Sequence, residues 1–285
     1  MEKIVFCSDL HGNMSQYERV LKYARDKAAD YVVFGGDLTP KEPKLRKPAL
    51  QRQFAQEQMF PLIKSFIDET RIPVLMIMGN DDFISNHSVF ESGQKEFGYT
   101  MIDESPYLTK EGASIIGYNY IPFTPFIHKC WERRDLTTHT DFSDRQGIKT
   151  KGVISEGDEL VEYDLSAVLD MPSIEQDLHN LTQGLDRENL ILVSHAPPHN
   201  TVCDVCVTGE HVGSEGLRAY IEQEQPLLTL HGHIHETVDK TGEFSEKIGR
   251  TCVITCGNDH RPESPYIVDL ELDGIKIMSI ERLEV

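Results

Sequence analysis

Ile4-Val5-Phe6-Cys7-Ser8-Asp9-Leu10-His11-Gly12 is a short apolar run that ends in a carboxylate and an imidazole two positions apart. Its length and its β-branched and aromatic content read as a buried strand, and Gly12 permits a sharp turn after it. In an extended segment residues i and i+2 project from one side, so Asp9 and His11 are expected to point together. The same succession recurs along the chain. The run 31–34 leads into Gly35-Gly36-Asp37, and 74–78 into Gly79-Asn80-Asp81-Asp82. The run 190–193 leads into Ser194-His195-Ala196-Pro197-Pro198-His199, and 227–230 into His231-Gly232-His233-Ile234-His235. Ligands of open α/β sheets sit beyond the carboxyl ends of strands, where all five polar clusters fall.

Between these runs lie segments with helical spacing. Asn13 is placed to cap a helix whose face is Tyr17, Val20, Leu21, Ala24 and Ala28. A second helix is expected in about 49–70, with Leu50, Phe54, Ile63, Phe66 and Ile67 inward. The capping-box pattern Ser173-x-x-Gln176 opens a third, striped by Ile174, Leu178, Leu181 and Leu185, and a fourth falls around 214–224. From 99 to 120 the runs shorten between turn residues. Further strands are expected at 251–255, 266–270 and 275–280. Residues 129–164 carry few large apolar side chains and many charges, and read as a partly irregular insertion without a core of its own. The expected architecture is α/β: two mixed β-sheets packed together with helices outside, one unit over 1–285 with an insertion or lid at about 118–189.

Of 285 residues 39% are hydrophobic, enough for a sizeable core. Twenty-eight Lys and Arg against 47 Asp and Glu leave a net charge of −19, which disfavours nucleic acid and anionic membranes as partners. The longest purely apolar stretch, 74–78, is far short of the roughly 20 residues of a membrane-spanning helix. The first run begins almost at Met1 and leaves no room for a secretory leader, so the six cysteines are expected as reduced thiols and the protein as cytoplasmic.

Each polar cluster alone has an ordinary explanation: Gly-Asp and Gly-Asn are turn signals, and a buried histidine is satisfied by core hydrogen bonds. Together they gather Asp, His and Asn at one sheet edge, for which packing offers no reason. Carboxylate, imidazole and amide donors without a thiolate suit Mn, Fe or Zn.

The series Asp9-x-His11, Gly36-Asp37, Gly79-Asn80-x-Asp82, His195 and Gly232-His233-x-His235 resembles the calcineurin-like metallophosphoesterase superfamily. The resemblance implies a four-layer αββα sandwich with a dinuclear metal centre. Asp9, His11, Asp37 and His235 would hold one divalent ion; Asp37, Asn80, His195 and His233 would hold the other, with Asp37 bridging. A metal-bridging hydroxide would attack the phosphorus. The implied activity is hydrolysis of phosphodiesters or small phosphorylated metabolites, nucleotides included. The alternative is a metal-binding scaffold of the same fold without turnover.

One position departs from the pattern. Much of the family has histidine after Gly-Asn, where it serves the transition state or the leaving group; this chain has Asp81. Two cations would hold that carboxylate ionised, a poor general acid, so water or His199, four residues beyond His195, is expected to serve instead. The patterns Gly-Asp-x-x-Asp-Arg and Gly-Asn-His-Glu are absent, which points away from the Ser/Thr protein phosphatases. Lys41, Lys44, Arg46 and Lys47 form a basic rim, either solvated or directed at an anionic substrate. Cys203-x-x-Cys206 with Cys252 and Cys256 has the makings of a zinc site, with free thiols the simpler reading. The stretch 118–126 with Trp131 is either packing or a wall for an aromatic substrate group.

Overall fold

The computed structural model describes residues 1–42, 44, 46–142 and 147–285. In chain order the first half contains β1 (Glu2–Cys7), α1 (Met14–Asp26), β2 (Tyr31–Gly35), α2 (Pro48–Phe54), α3 (Phe60–Thr70), β3 (Val74–Ile77), α4 (His87–Phe97), β4 (Thr100–Met101), β5 (Tyr107–Leu108) and β6 (Ser114–Tyr118). The second half contains β7 (Lys151–Glu156), β8 (Glu159–Asp164), α5 (Ile174–Leu181), β9 (Leu190–Ser194), α6 (Glu215–Glu224), β10 (Leu228–His231), α7 (Thr237–Thr241), β11 (Ser245–Ile248), β12 (Thr251–Thr255), β13 (Tyr266–Asp273) and β14 (Lys276–Glu284).

Two mixed six-stranded sheets result, in the orders β14-β13-β1-β2-β3-β4 and β11-β12-β10-β9-β6-β5. In the first, β1 to β4 run parallel and β13 pairs antiparallel with β1. In the second, β12, β10, β9 and β6 run parallel, flanked by antiparallel β11 and β5. The alternation of a strand then sorts side chains into layers. Ile4 and Phe6 of β1 meet Leu230 of β10 and Ile191 and Val193 of β9 in the core between the sheets. Val5 and Cys7, on the other face, pack with Tyr17, Val20, Leu21 and Ala24 of α1 and with Phe60 and Ile63 of α3. On the outer face of the second sheet, Leu190 and Leu192 pack with Leu178 of α5 and Leu217 and Ile221 of α6. These are the four layers expected.

Local signals behave as chemistry requires. Asn13 Oδ1 accepts from Gln16 N at 3.3 Å and caps α1. Ser173 and Gln176 form both arms of the capping box. Three expectations need correction. Ala28 is not on the face of α1: the helix ends at Asp26, and Ala28 lies exposed beyond it with φ of +50°. The helix expected over 49–70 is interrupted by a π-helical stretch, Ala55–Met59, because Pro61 has no N–H to donate to the preceding turn, which widens instead. The stretch 129–164 is less irregular than its charge suggests. It contains the β7–β8 hairpin, turned at Gly157 with φ of +58°, and nearby Phe123, Leu165 and Val168 form a small apolar cluster. Residues 143–146 of that stretch lie outside the described residues.

The sheets approach closely at Gly117 of β6, where a methyl group would overlap the Ile77 side chain of β3 and meet Ile102 Cγ1 at 3.1 Å. Gly117→Ala should therefore lower stability by about 1–3 kcal/mol in denaturant titration. A loss below about 0.5 kcal/mol would mean that the interface yields more than a close-packed core does.

Candidate metal centre

The carboxyl ends of β1, β2, β3, β9 and β10 bring seven candidate ligands to one edge. The loops leaving β1 and β2 run side by side, Asp9 N donating to Gly36 O at 3.0 Å and His11 N to Asp37 O at 2.8 Å. Gly232 N reaches His195 O at 3.1 Å, tying the loops of the second sheet. The sheets are joined where His233 N donates to both Asp9 carboxylate oxygens at 3.1 Å. Buried Asp82 fastens the third loop, accepting from Leu38 N, Thr39 N, Thr39 Oγ1 and Gly79 N. Trp131 Nε1 braces this loop from behind by donating to Asp82 O at 2.6 Å.

Asp9 and His11 converge for a different reason from the one expected. Neither belongs to a strand; with Asp37 and His233 they adopt left-handed backbone, φ of +59°, +43°, +51° and +68°. Each such residue costs about 1–3 kcal/mol, which these cross-links must hold in place. Gly79 and Gly232 are needed for close approach: a Cβ at Gly79 would meet His195 Cε1 at 2.7 Å, and one at Gly232 would meet Ser8 Cβ at 2.7 Å.

Asp9, His11, Asp37 and His235 offer donor atoms that all lie within 4.8 Å of one another. His11 Nε2 is 3.4 Å from His235 Nε2 and 3.5 Å from Asp37 Oδ2, and His235 Nε2 is 3.3 Å from Asp9 Oδ1. On the other side His195 Nε2 is 3.1 Å from Asn80 Oδ1 and 3.5 Å from the same Asp37 Oδ2, with the His233 ring 5.2 Å from that of His195. Donors about 2.1 Å from one cation and at right angles stand about 3 Å apart, so this set fits divalent ions. His195 Nδ1 lies 2.8 Å from Gly35 O; the tautomer that donates there leaves Nε2 as a lone-pair donor toward the centre. His231, by contrast, is satisfied by Ser194 O, Ala196 O and Thr229 Oγ1 and serves the core.

Without metal, protons take the place of cations. Burial opposes charge on His195, yet the Asp37 carboxylate prevails and pushes the imidazole up to about 10. His235 is likewise raised against burial by Asp9. Burial and the neighbouring His195 press His233 down to about 3. Asp9 and Asp37, despite burial, are held well below the usual carboxylate range by their histidines.

Asp81 stands beside this set. Its N donates to Asp37 Oδ1 at 2.7 Å and its carboxylate lies 3.9 Å from His11 Nδ1, paired with Arg46. Burial and Asp37 push it up to about 6 in the metal-free protein. His199 is placed otherwise: Nδ1 lies 3.6 Å from buried Asp204, which His211 also engages at 2.6 Å. The basic rim divides: Lys41 Nζ comes within 3.1 Å of His11 Nε2 and Arg46 pairs Asp81, whereas Lys44 and Lys47 are exposed. All six cysteines are free thiols, and among the described residues none joins a cation-holding cluster. Tyr118, Tyr120 and Trp131 pack in sequence, ring centroids 5.7 and 5.3 Å apart, along a cavity of about 760 Å³.

His260 was not anticipated. It follows β12, whose parallel pairing with β10 brings Asn258, Asp259 and His260 to the same edge. The Gly257-Asn258-Asp259-His260 sequence after an apolar run was the available signal.

The profile of a family described as calcineurin-like phosphoesterase matches residues 2–237. An uncharacterised protein of Methanocaldococcus jannaschii is 36% identical over 96 residues, so the match spans 32% of this chain and only 39% of that relative's length. TT1561 of Thermus thermophilus superposes with a TM-score of 0.58 at 16% identity, covering 99% of this chain and 98% of that one. A dimetal phosphatase from Danio rerio superposes with a TM-score of 0.55 at 12% identity, covering 95% and 92%. At such identities the two structures establish the likeness of fold.

The His195 shift has a measurable sign. An unfolded histidine releases its proton near pH 6.5, the folded one near 10, so the stabilisation is complete below about 6.5 and is lost as pH rises to about 10. Denaturant titration of metal-stripped protein should show stability falling across that window. His195→Gln should flatten the fall; an equal slope in the variant would contradict the assignment.

Proposed function

The chain belongs to the calcineurin-like phosphoesterase family, and from that premise we propose that it is a dinuclear metal-dependent phosphoesterase acting on phosphodiesters or small phosphorylated metabolites. The observation that carries this reading is Asp37 Oδ2, 3.5 Å from both His11 Nε2 and His195 Nε2, the position of a carboxylate shared between two ions. Asp9, His11 and His235 would complete one site, and Asn80, His195 and His233 the other. Two divalent cations, when bound, polarise the phosphoryl oxygens and lower the pKa of a coordinated water. Mn, Fe and Zn all suit these donors.

The chain's own residues shape what can enter. A cavity of about 460 Å³ opens beside His11, lined by Asn13, Phe54, Gln58, His260 and Arg261 among others. That volume is in the range of small-molecule sites and supports a metabolite-sized ester over a phosphoprotein. Phe54 offers an apolar wall, Arg261 and Glu42 put one charge of each sign on the lining, and the Lys41 ammonium stands 3.1 Å from His11 Nε2. Arg46 neutralises Asp81, so the carboxylate that replaces the family's usual histidine does not repel an incoming anion. Leaving-group protonation falls to water or to His199. Among the described residues no helix is long and apolar enough to cross a membrane; cytoplasmic residence belongs to the proposal.

The test is steady-state hydrolysis of bis(p-nitrophenyl) phosphate and p-nitrophenyl phosphate by metal-stripped protein titrated with Mn²⁺. Turnover should require metal, and Asp37→Asn should lower it by about 100-fold or more. His199→Ala should alter the pH–rate profile, and an unchanged profile would leave water as the proton source. Stoichiometric metal uptake without hydrolysis of either ester would replace the enzyme by a metal-binding scaffold.

A further inference from the structure

His11 is buried, and its two ring nitrogens are treated differently. Nε2 is surrounded: Lys41 Nζ stands 3.1 Å away, His235 Nε2 3.4 Å and Asp37 Oδ2 3.5 Å. Nδ1 is buried and makes no hydrogen bond. An ammonium can only donate, so the Lys41 contact requires the imidazole lone pair at Nε2 and puts the ring proton on Nδ1. That is the tautomer a cation at Nε2 needs. A buried N–H with nothing to accept it costs about 1–3 kcal/mol, so the question is which group answers Nδ1. Asp81 Oδ2 faces it from 3.9 Å.

The surroundings hold Asp81 in that place. Its N donates to Asp37 Oδ1 at 2.7 Å, and its O accepts from Gln51 Nε2 at 2.8 Å. Gln51, itself buried in α2, also donates to Pro40 O at 3.0 Å and accepts from Phe83 N at 3.0 Å. The backbone is thus clamped on both sides of the Asp81 side chain. Arg46 then engages Oδ1 of the carboxylate, which leaves Oδ2 turned to His11. An exposed loop carboxylate would send both oxygens to water; this side chain is 13% exposed, and each of its oxygens has a named neighbour.

We propose that Asp81 is a positioning residue for His11: its Oδ2 accepts the Nδ1 proton and so holds the ring and its tautomer with Nε2 presented to the ion shared with Asp9, Asp37 and His235. The inference rests on the dinuclear reading above. At 3.9 Å the two atoms are about 1 Å beyond a direct hydrogen bond. Coordination at Nε2 draws electron density from the ring, makes Nδ1–H a stronger donor and closes that gap. In return the carboxylate makes Nε2 a more basic ligand. Asp81 therefore serves the metal through His11 and does not protonate the leaving group.

The full-length chain, stripped of metal, is titrated with Co²⁺ and followed by calorimetry and visible absorption, beside Asp81→Leu and Asp81→Asn. The wild-type chain should bind two ions. Asp81→Leu should weaken one of them by about 10–100-fold and change the cobalt spectrum while leaving the other ion in place. Asp81→Asn, of the same shape but with an uncharged acceptor, should lose less and decides the matter should the leucine variant not fold. Two ions bound with wild-type affinities and an unchanged spectrum in the variants would overturn the role of Asp81 alone. So would loss of both ions in Asp81→Asn, which would mean that the residue holds the whole loop and not His11. A wild-type chain that binds no second ion would overturn the dinuclear reading, and this inference with it.

Discussion

Asp9 and Asp37 are 1% and 2% exposed at the junction of two sheets, and the local structure is arranged around keeping negative charge there. Burying a carboxylate costs several kcal/mol unless positive charge or hydrogen-bond donors meet it. Backbone N–H groups of Asp81 and His233 supply donors, and His195 and His235 supply charge when protonated. Four residues of the edge, Asp9, His11, Asp37 and His233, also accept left-handed backbone. Charge burial and backbone strain coincide on the same residues, as they do where a fold holds a cation in place of a core.

The sandwich makes this concentration possible. Parallel strands deliver their carboxyl ends to one side of each sheet, and the face-to-face core of Ile4, Phe6, Val193 and Leu230 fixes the two edges against each other. Hence Asp9 and His233, on loops that leave different sheets, can share hydrogen bonds although 224 residues separate them. Asp82 and Asn258 act from opposite sides, the first tying the loops after β2 and β3, the second tying the loop after β12 to the end of β1. The ligand side chains then need little freedom of their own.

Much of this was legible because strand and cluster are adjacent in sequence. Asp9, Asp37, Asn80, His195 and His233 each follow a short apolar run, and the αL turns at Asp9, Asp37 and His233 leave their trace in the neighbouring glycines. Asp9 and His11 are brought together by a strained left-handed turn, and not by the alternation of a strand, which would have joined them equally well. His260 escaped notice because nothing in the run 251–255 tells whether β12 runs parallel to β10, and an antiparallel strand would have put the same tetrapeptide at the far edge. The β7–β8 hairpin escaped because Val161 and Tyr163 alternate with charged residues on the strand, a pattern that composition alone reads as irregular. Helix interruption at Pro61 and the end of α1 before Ala28 depend on single residues, and apolar periodicity runs through both.

The most direct measurement is anomalous diffraction from crystals of the chain grown with Mn²⁺, with maps at wavelengths on either side of the metal edge. Two peaks are expected, with Asp37 lying between them: one bounded by Asp9, His11 and His235, the other by Asn80, His195 and His233. A single peak that leaves Asn80, His195 and His233 bare, or peaks away from this sheet edge, would contradict the shared-carboxylate centre on which the account rests.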